Sequence, residues 1–163
     1  MTDQAIAHDS RAIANRILDV AAGRQISLTI MQLVKLIYFA HGWNLAIRGE
    51  PLSKHSAQAW QYGPVFPHVY KVLQSSRSRP IDGRILSKET GKPLVEEFDQ
   101  QERDLIDEVV DGYGRMHAFQ LSNLTHGEGT PWDKTMKTTG IYSEIKNDLI
   151  REYFSQMTNA RQN

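Results

Sequence analysis

The feature that most constrains this chain is the stretch between Thr29 and Gly49. Leu33, Leu36, Ile37, Ala40, Trp43 and Ile47 fall on one broad helical face, while Val34, Tyr38 and Leu45 cover much of the remainder. A helix that is apolar nearly all round must be enclosed by other elements, so it has to lie at the centre of the fold. Its start is marked by Thr29 and Gln32, spaced to exchange hydrogen bonds with each other's backbone amides, and by Leu28 and Leu33, which can staple across the cap. Gly49 and Pro51 stop it. The most apolar part, Leu28 to Ala40, is broken by Thr29, Gln32 and Lys35 and is shorter than the roughly 20 residues of a membrane span.

Further helices are expected on either side. Ile13, Ile17, Val20 and Ala21 recur at helical spacing after Ser10 as a cap, with Gly23 at the end. Asp99 and Glu102 repeat the capping geometry ahead of Leu105, Ile106, Val109, Val110 and Tyr113. A short helix is expected from His117 to Thr125. Thr130-Pro131-Trp132-Asp133 reads as cap, first-turn proline and an acid, and Ile145, Leu149, Ile150, Tyr153, Phe154 and Met157 mark a last helix. Between these lie a short strand from Ser56 to Gln61, ended by Gly63-Pro64 because proline cannot donate to a ladder, a helical turn through Phe66, Val69, Tyr70 and Leu73, and a hairpin around Glu89 to Lys92. The expected architecture is a single α+β domain over residues 1–163, with its core at about 10–157. It is predominantly helical, with a buried central helix and a small antiparallel sheet or hairpin.

Composition narrows the chemistry. Nineteen Lys and Arg balance nineteen Asp and Glu, which disfavours a dedicated nucleic-acid or anionic-membrane binder. No cysteine is present, so thiol catalysis, cysteine-ligated zinc, iron–sulfur clusters and a disulfide scaffold are excluded together. The polar, acidic residues of Met1 to Ser10 lack the flank and apolar run of a secretion signal, and a cytoplasmic location is expected. The histidines His8, His41, His55, His68, His117 and His126 include no pair three to five residues apart, so no metal or cofactor is expected. Gly112-Tyr113-Gly114 lacks the third glycine of a dinucleotide loop.

Three segments stand apart: Leu33-Val34-Lys35-Leu36-Ile37-Tyr38-Phe39-Ala40; Ala59-Trp60-Gln61-Tyr62-Gly63-Pro64-Val65 with Tyr70; and Leu121-Ser122-Asn123-Leu124-Thr125-His126 with Pro131-Trp132. In this order and at these separations they resemble the Panacea antitoxin domain family, which includes SocA-like antitoxins and phage-associated GepA-like proteins. The resemblance covers roughly residues 27–154. It implies an antitoxin that is not an enzyme and neutralises a cognate protein toxin, usually encoded by an adjacent gene, by direct binding, or in a few relatives by delivery to a cellular protease. Within these segments Lys35, Tyr38, Trp60, Tyr62, Tyr70, His126 and Trp132 are the candidate toxin-binding residues, with Gly63 and Pro64 as a structural turn.

The residues themselves leave other readings open. Arg77, Arg79 and Arg84 form a small basic cluster that a phage or mobile-element regulator could set against nucleic acid, and Lys35 or His126 could serve an enzyme. Gly63-Pro64 can turn a strand into a helix without any ligand. Trp60 and Tyr62 share a side in an extended segment; Trp60 suits core packing, whereas Tyr62 suits an interface because its hydroxyl favours a wet edge. Lys35, between Val34 and Leu36 on the buried helix, must snorkel to water or meet an acid. His126 and Trp132 bracket Gly127-Glu128-Gly129, a helix stop followed by a capped start.

Overall fold

The computed structural model describes residues 6–162; the opening residues 1–5 considered above for export lie outside them. Helix α1 runs Ser10–Gly23, α2 Ile30–Arg48, α3 Pro67–Leu73, α4 Gln100–Tyr113, α5 Ala118–His126, α6 Pro131–Thr138 and α7 Asn147–Gln162. Strands β1 (Ala57–Trp60), β2 (Gly63–Val65) and β3 (Glu144–Ile145) form an antiparallel sheet in the order β2-β1-β3.

The central helix forms as its termini dictate. Thr29 Oγ1 accepts from the Gln32 amide at 3.3 Å, and Gln32 Oε1 accepts from the Thr29 amide at 2.8 Å. At the other end Gly49 adopts φ 74° and donates to the Leu45 carbonyl. Every residue from Leu33 to Leu45 is buried. Helices α1, α4, α5 and α7 and the sheet surround α2, and α7 lies along it. That last contact depends on Gly42. A Cβ there would overlap the Phe154 ring, which instead rests against the helix backbone and meets Tyr38, Phe39 and Trp43 edge-on, its centroid 5.8, 6.2 and 5.1 Å from theirs.

The Asp99–Glu102 box, the Thr130 cap and the first-turn Pro131 form as the sequence indicates. Four expectations change. Asp9, not Ser10, caps α1: its carboxylate accepts from the Arg11 amide, which frees Ser10 to donate from amide and hydroxyl to His55 Nδ1. Gly63-Pro64 does not end the sheet but belongs to β2, across the two-residue turn Gln61-Tyr62, with Trp60 paired to Gly63 and Ala59 to Pro64. Pro64 is tolerated because β2 is the edge strand and Ala59 spends its own amide and carbonyl on the other side, on Ser143 and Tyr142. Ile145 belongs to β3 and pairs with Ala57; the last helix starts only at Asn147, because β1 offers a free edge that the preceding residues take up. The expected hairpin at Glu89 to Lys92 is reduced to one antiparallel bridge, Leu86 to Pro93. Buried Asn15 substitutes for a longer ladder, donating to the carbonyls of Ile85 and Leu94 and accepting from the Ile85 amide.

Gly42 and Gly23 separate packing from propensity. Gly42→Ala should lose about 1–3 kcal/mol in urea unfolding through overpacking against Phe154, whereas Gly23→Ala, with open space around it, should be neutral or stabilising. Equal effects at the two sites would refute the role given to Gly42.

Candidate protein-binding face

The β1–β2 hairpin is held through its own carbonyls. Trp132 Nε1 donates to the Trp60 carbonyl at 2.6 Å, Ser122 Oγ to the Tyr62 carbonyl at 2.6 Å and Lys35 Nζ to the Pro64 carbonyl at 2.8 Å. Three alternate residues of one hairpin are thus fixed by side chains from α6, α5 and α2. The three sequence segments singled out above are the parts of this cradle. Gly63 sits at its tightest point: its φ of 111° suits glycine, and a Cβ would come within 2.9 Å of Thr125 Oγ1 and 3.2 Å of Lys35 Nζ.

Lys35 neither snorkels nor meets an acid. Its side chain is fully buried, it forms no ion pair among the described residues, and burial brings its ammonium down to about 7. Tyr38, one turn further along α2, is 1% exposed, and no partner for its hydroxyl is found. Neither side chain reaches the surface, so both can act on a partner only through the scaffold. His126 is half-buried; its Nδ1 donates to the Ser122 carbonyl and its ring stands edge-on to Trp132.

The hairpin turn, in contrast, presents aromatic side chains to solvent. Tyr62 is 62% exposed at the tip. Half-buried Trp60 packs edge-on against Tyr70 at 5.0 Å and Tyr142 at 5.7 Å, and a groove of about 260 Å³ runs between these residues, Met31 and Val65. Two members of this surface escaped the sequence. Tyr142, 62% exposed, arrives through the connection into β3, and Phe119, 76% exposed, lies one helical turn before Ser122, which holds the Tyr62 carbonyl. No periodicity marks either, because both are apolar residues on the solvent side.

The basic cluster is divided. Arg84 pairs with Asp19 at 2.6 Å, while Arg77 and Arg79 are exposed on the loop after α3. Three further buried polar residues were not foreseen. His8 places Nδ1 2.8 Å from Glu96 and Nε2 3.0 Å from Glu102, tying the chain before α1 to the start of α4. Next to it Asp9 is buried, which opposes ionisation, but hydrogen bonds and charge from Arg11 prevail and bring its carboxyl down to about 2. His41 accepts from the Ser53 amide at Nδ1, so Nε2 carries the proton and donates to Asn147; burial outweighs that bond and brings the ring down to about 4. Among the described residues no cluster of three or more metal-ligating side chains occurs, and no helix is long and apolar enough to cross a membrane.

The cradle lies within a recognised domain. The family model "Antitoxin SocA-like, Panacea domain" matches residues 33–133, from Leu33 in the first turn of α2 to the opening turn of α6. The chain belongs to the SocA-like Panacea antitoxin family. Antitoxin SocA of Caulobacter vibrioides (strain NA1000 / CB15N) is 38% identical over 129 residues, which cover 77% of this chain and 69% of that protein. No solved structure matches significantly. Lys35, Ser122 and Trp132, the three groups that fix the hairpin in this Panacea domain, all fall inside the matched residues.

The cradle makes two predictions. Gly63→Val should lower stability by more than about 1 kcal/mol, because valine meets both an unfavourable φ and two neighbouring side chains; an unchanged urea midpoint would contradict this. The second concerns pH. The folded-state value of Lys35 lies below its ordinary 10.5, so between about 7 and 10.5 the unfolded chain binds the extra proton and stability rises with pH. For His41 the same argument makes stability fall as pH drops from 6.5 through about 4. Urea midpoints taken from pH 7 to about 9.5, below the range where tyrosine titrates, should rise for the parent and stay flat for Lys35→Met; parallel slopes would rule out a neutral buried amine.

Proposed function

We propose that this Panacea-domain antitoxin neutralises a protein toxin, encoded by an adjacent gene, through stoichiometric contact with the aromatic face of the hairpin turn. Tyr62, Phe119 and Tyr142 form the exposed part of that face, and Trp60 and Tyr70 line its groove. The observation that carries the reading is the combination of an aromatic tip open to solvent and a backbone fixed beneath it at three carbonyls. Binding hot spots are enriched in Trp, Tyr and Arg, and a pre-organised turn loses little entropy when it docks. The name of the relative, Antitoxin SocA, points the same way. Lys35, Tyr38, His126 and Trp132 take supporting roles: they shape the hairpin and its surroundings, and the partner meets the turn. The protein acts without catalysis and in the cytoplasm, where a newly made toxin would be met.

Expressing each neighbouring gene alone should identify one that arrests growth, and equimolar antitoxin should restore growth through a complex that co-purifies. Tyr62→Ala should weaken that complex by about 2 kcal/mol, roughly thirtyfold, with an unchanged melting temperature. Trp132→Ala should instead lower stability by about 2–3 kcal/mol, since it loses both packing and the bond to the Trp60 carbonyl. If Tyr62→Ala binds as tightly as the parent, the hairpin is not the interface. Rescue by a trace of antitoxin, without a complex, would replace occlusion by delivery of the toxin to a protease.

A further inference from the structure

Charge is divided unevenly along this neutral chain. From Pro51 to Ile81, the stretch that supplies Trp60, Tyr62 and Tyr70, there is no Asp or Glu, whereas Lys54, Lys71, Arg77 and Arg79 all fall within it. Residues 112–127 and 134–143, which bring Phe119 and Tyr142 to the same face, and residues 20–49 around Met31 carry no acid either. Ten of the nineteen carboxylates lie instead between Asp82 and Asp111. Two acids border the face. Asp82 follows the loop after α3, and Glu144 stands opposite Gln58, accepting from Ser56 Oγ, at the end of the sheet away from the hairpin turn.

The loop after α3 is strained at its most basic point. The Arg79 amide donates to the Ser76 carbonyl at 3.0 Å, closing a turn in which Arg77 holds φ 54° and ψ −124°. That is the first central position of a type II′ turn, which glycine fills without strain and arginine does not. Such strain clusters at binding sites, where a particular side chain is needed in a particular place. Lys71, Arg77 and Arg79 are exposed and enter none of the ion pairs among the described residues. The loop is also tied beside the aromatic groove: it continues from α3, which supplies Tyr70, and the Ile81 amide donates to the carbonyl of Leu28, three residues before Met31. We propose that the partner surface docking on this face is acidic, with carboxylates that meet Arg77 and Arg79 while the aromatic side chains make the apolar contact. The inference rests on the hairpin turn being the toxin-binding face and adds the chemistry of what it meets. Three exposed cations are few for a nucleic-acid binder, which neutralises about 6–10 phosphates, but they suffice to steer a protein of opposite charge.

Two measurements on the full-length protein test it. Hexaglutamate titrated at low salt into ¹⁵N-labelled antitoxin should shift the amides of Ser76 to Arg79 and of Tyr62 saturably and leave those of α4 unmoved. No shift at these residues, or tighter binding there of a short DNA duplex, would overturn the proposal. With the toxin that co-purifies, association should slow about tenfold from low to physiological salt, and the double variant Arg77→Gln, Arg79→Gln should associate about fivefold more slowly at low salt with dissociation little changed. Arg77→Gly should melt no lower than the parent, since glycine suits this φ, yet associate more slowly. An association rate indifferent to salt and to these variants, in a complex that Tyr62→Ala weakens, would refute the acidic partner and leave the docking face standing. A complex indifferent to Tyr62→Ala would refute the face and this inference with it.

Discussion

A helix enclosed on every side gives its polar residues no water to turn to, and that constraint orders the rest of this fold. Most polar side chains on α2 reach backbone or side chains of other segments, while the Tyr38 hydroxyl finds no partner. Gln32 donates to the Met116 carbonyl, Lys35 to Pro64, and Asn44 to Glu50, while His41 joins Ser53 to Asn147. The apolar surface of α2 holds the surrounding helices through non-directional burial. The polar groups supply direction: they fix which loop lies where, since an unmade bond in such surroundings costs more than a made one contributes. Phe154 acts similarly through shape, because the missing Cβ of Gly42 leaves one place for its ring.

What was legible in the sequence follows from range. Capping at Thr29–Gln32 and Asp99–Glu102, the stop at Gly49 and the start at Thr130-Pro131 are set by neighbours three or four residues apart, and all of them stand as the residues indicate. Elements that depend on distant partners were misjudged. Pro64 reads as a strand breaker until it is known that β2 is an edge, and Ile145 fits a helical face as well as a strand. Asn15, His8 and Asp9 are polar residues whose burial comes from segments some seventy or more positions away.

The binding face shows the same division. The three segments that identify the Panacea family carry no periodic signal linking them, yet in space they are one arrangement: a hairpin and the side chains that hold its carbonyls. The sequence marked Lys35, Trp60, Gly63, Pro64 and Trp132 but could not tell cradle from surface. Tyr142 and Phe119 went unnoticed because exposure of an aromatic side chain is decided by tertiary structure and not by spacing along the chain.

The acceptor role of Pro64 also has a bearing on association. An open sheet edge normally invites another strand to add to it, whether from a target peptide or from a second copy of the same protein. Here the outer strand has no amide at Pro64, and the neighbouring carbonyls of Tyr62 and Pro64 are already occupied by Ser122 and Lys35. The edge is therefore chemically silent along β2. Recognition at this end of the molecule has to be written in side chains, above a strand whose outward backbone groups are already engaged.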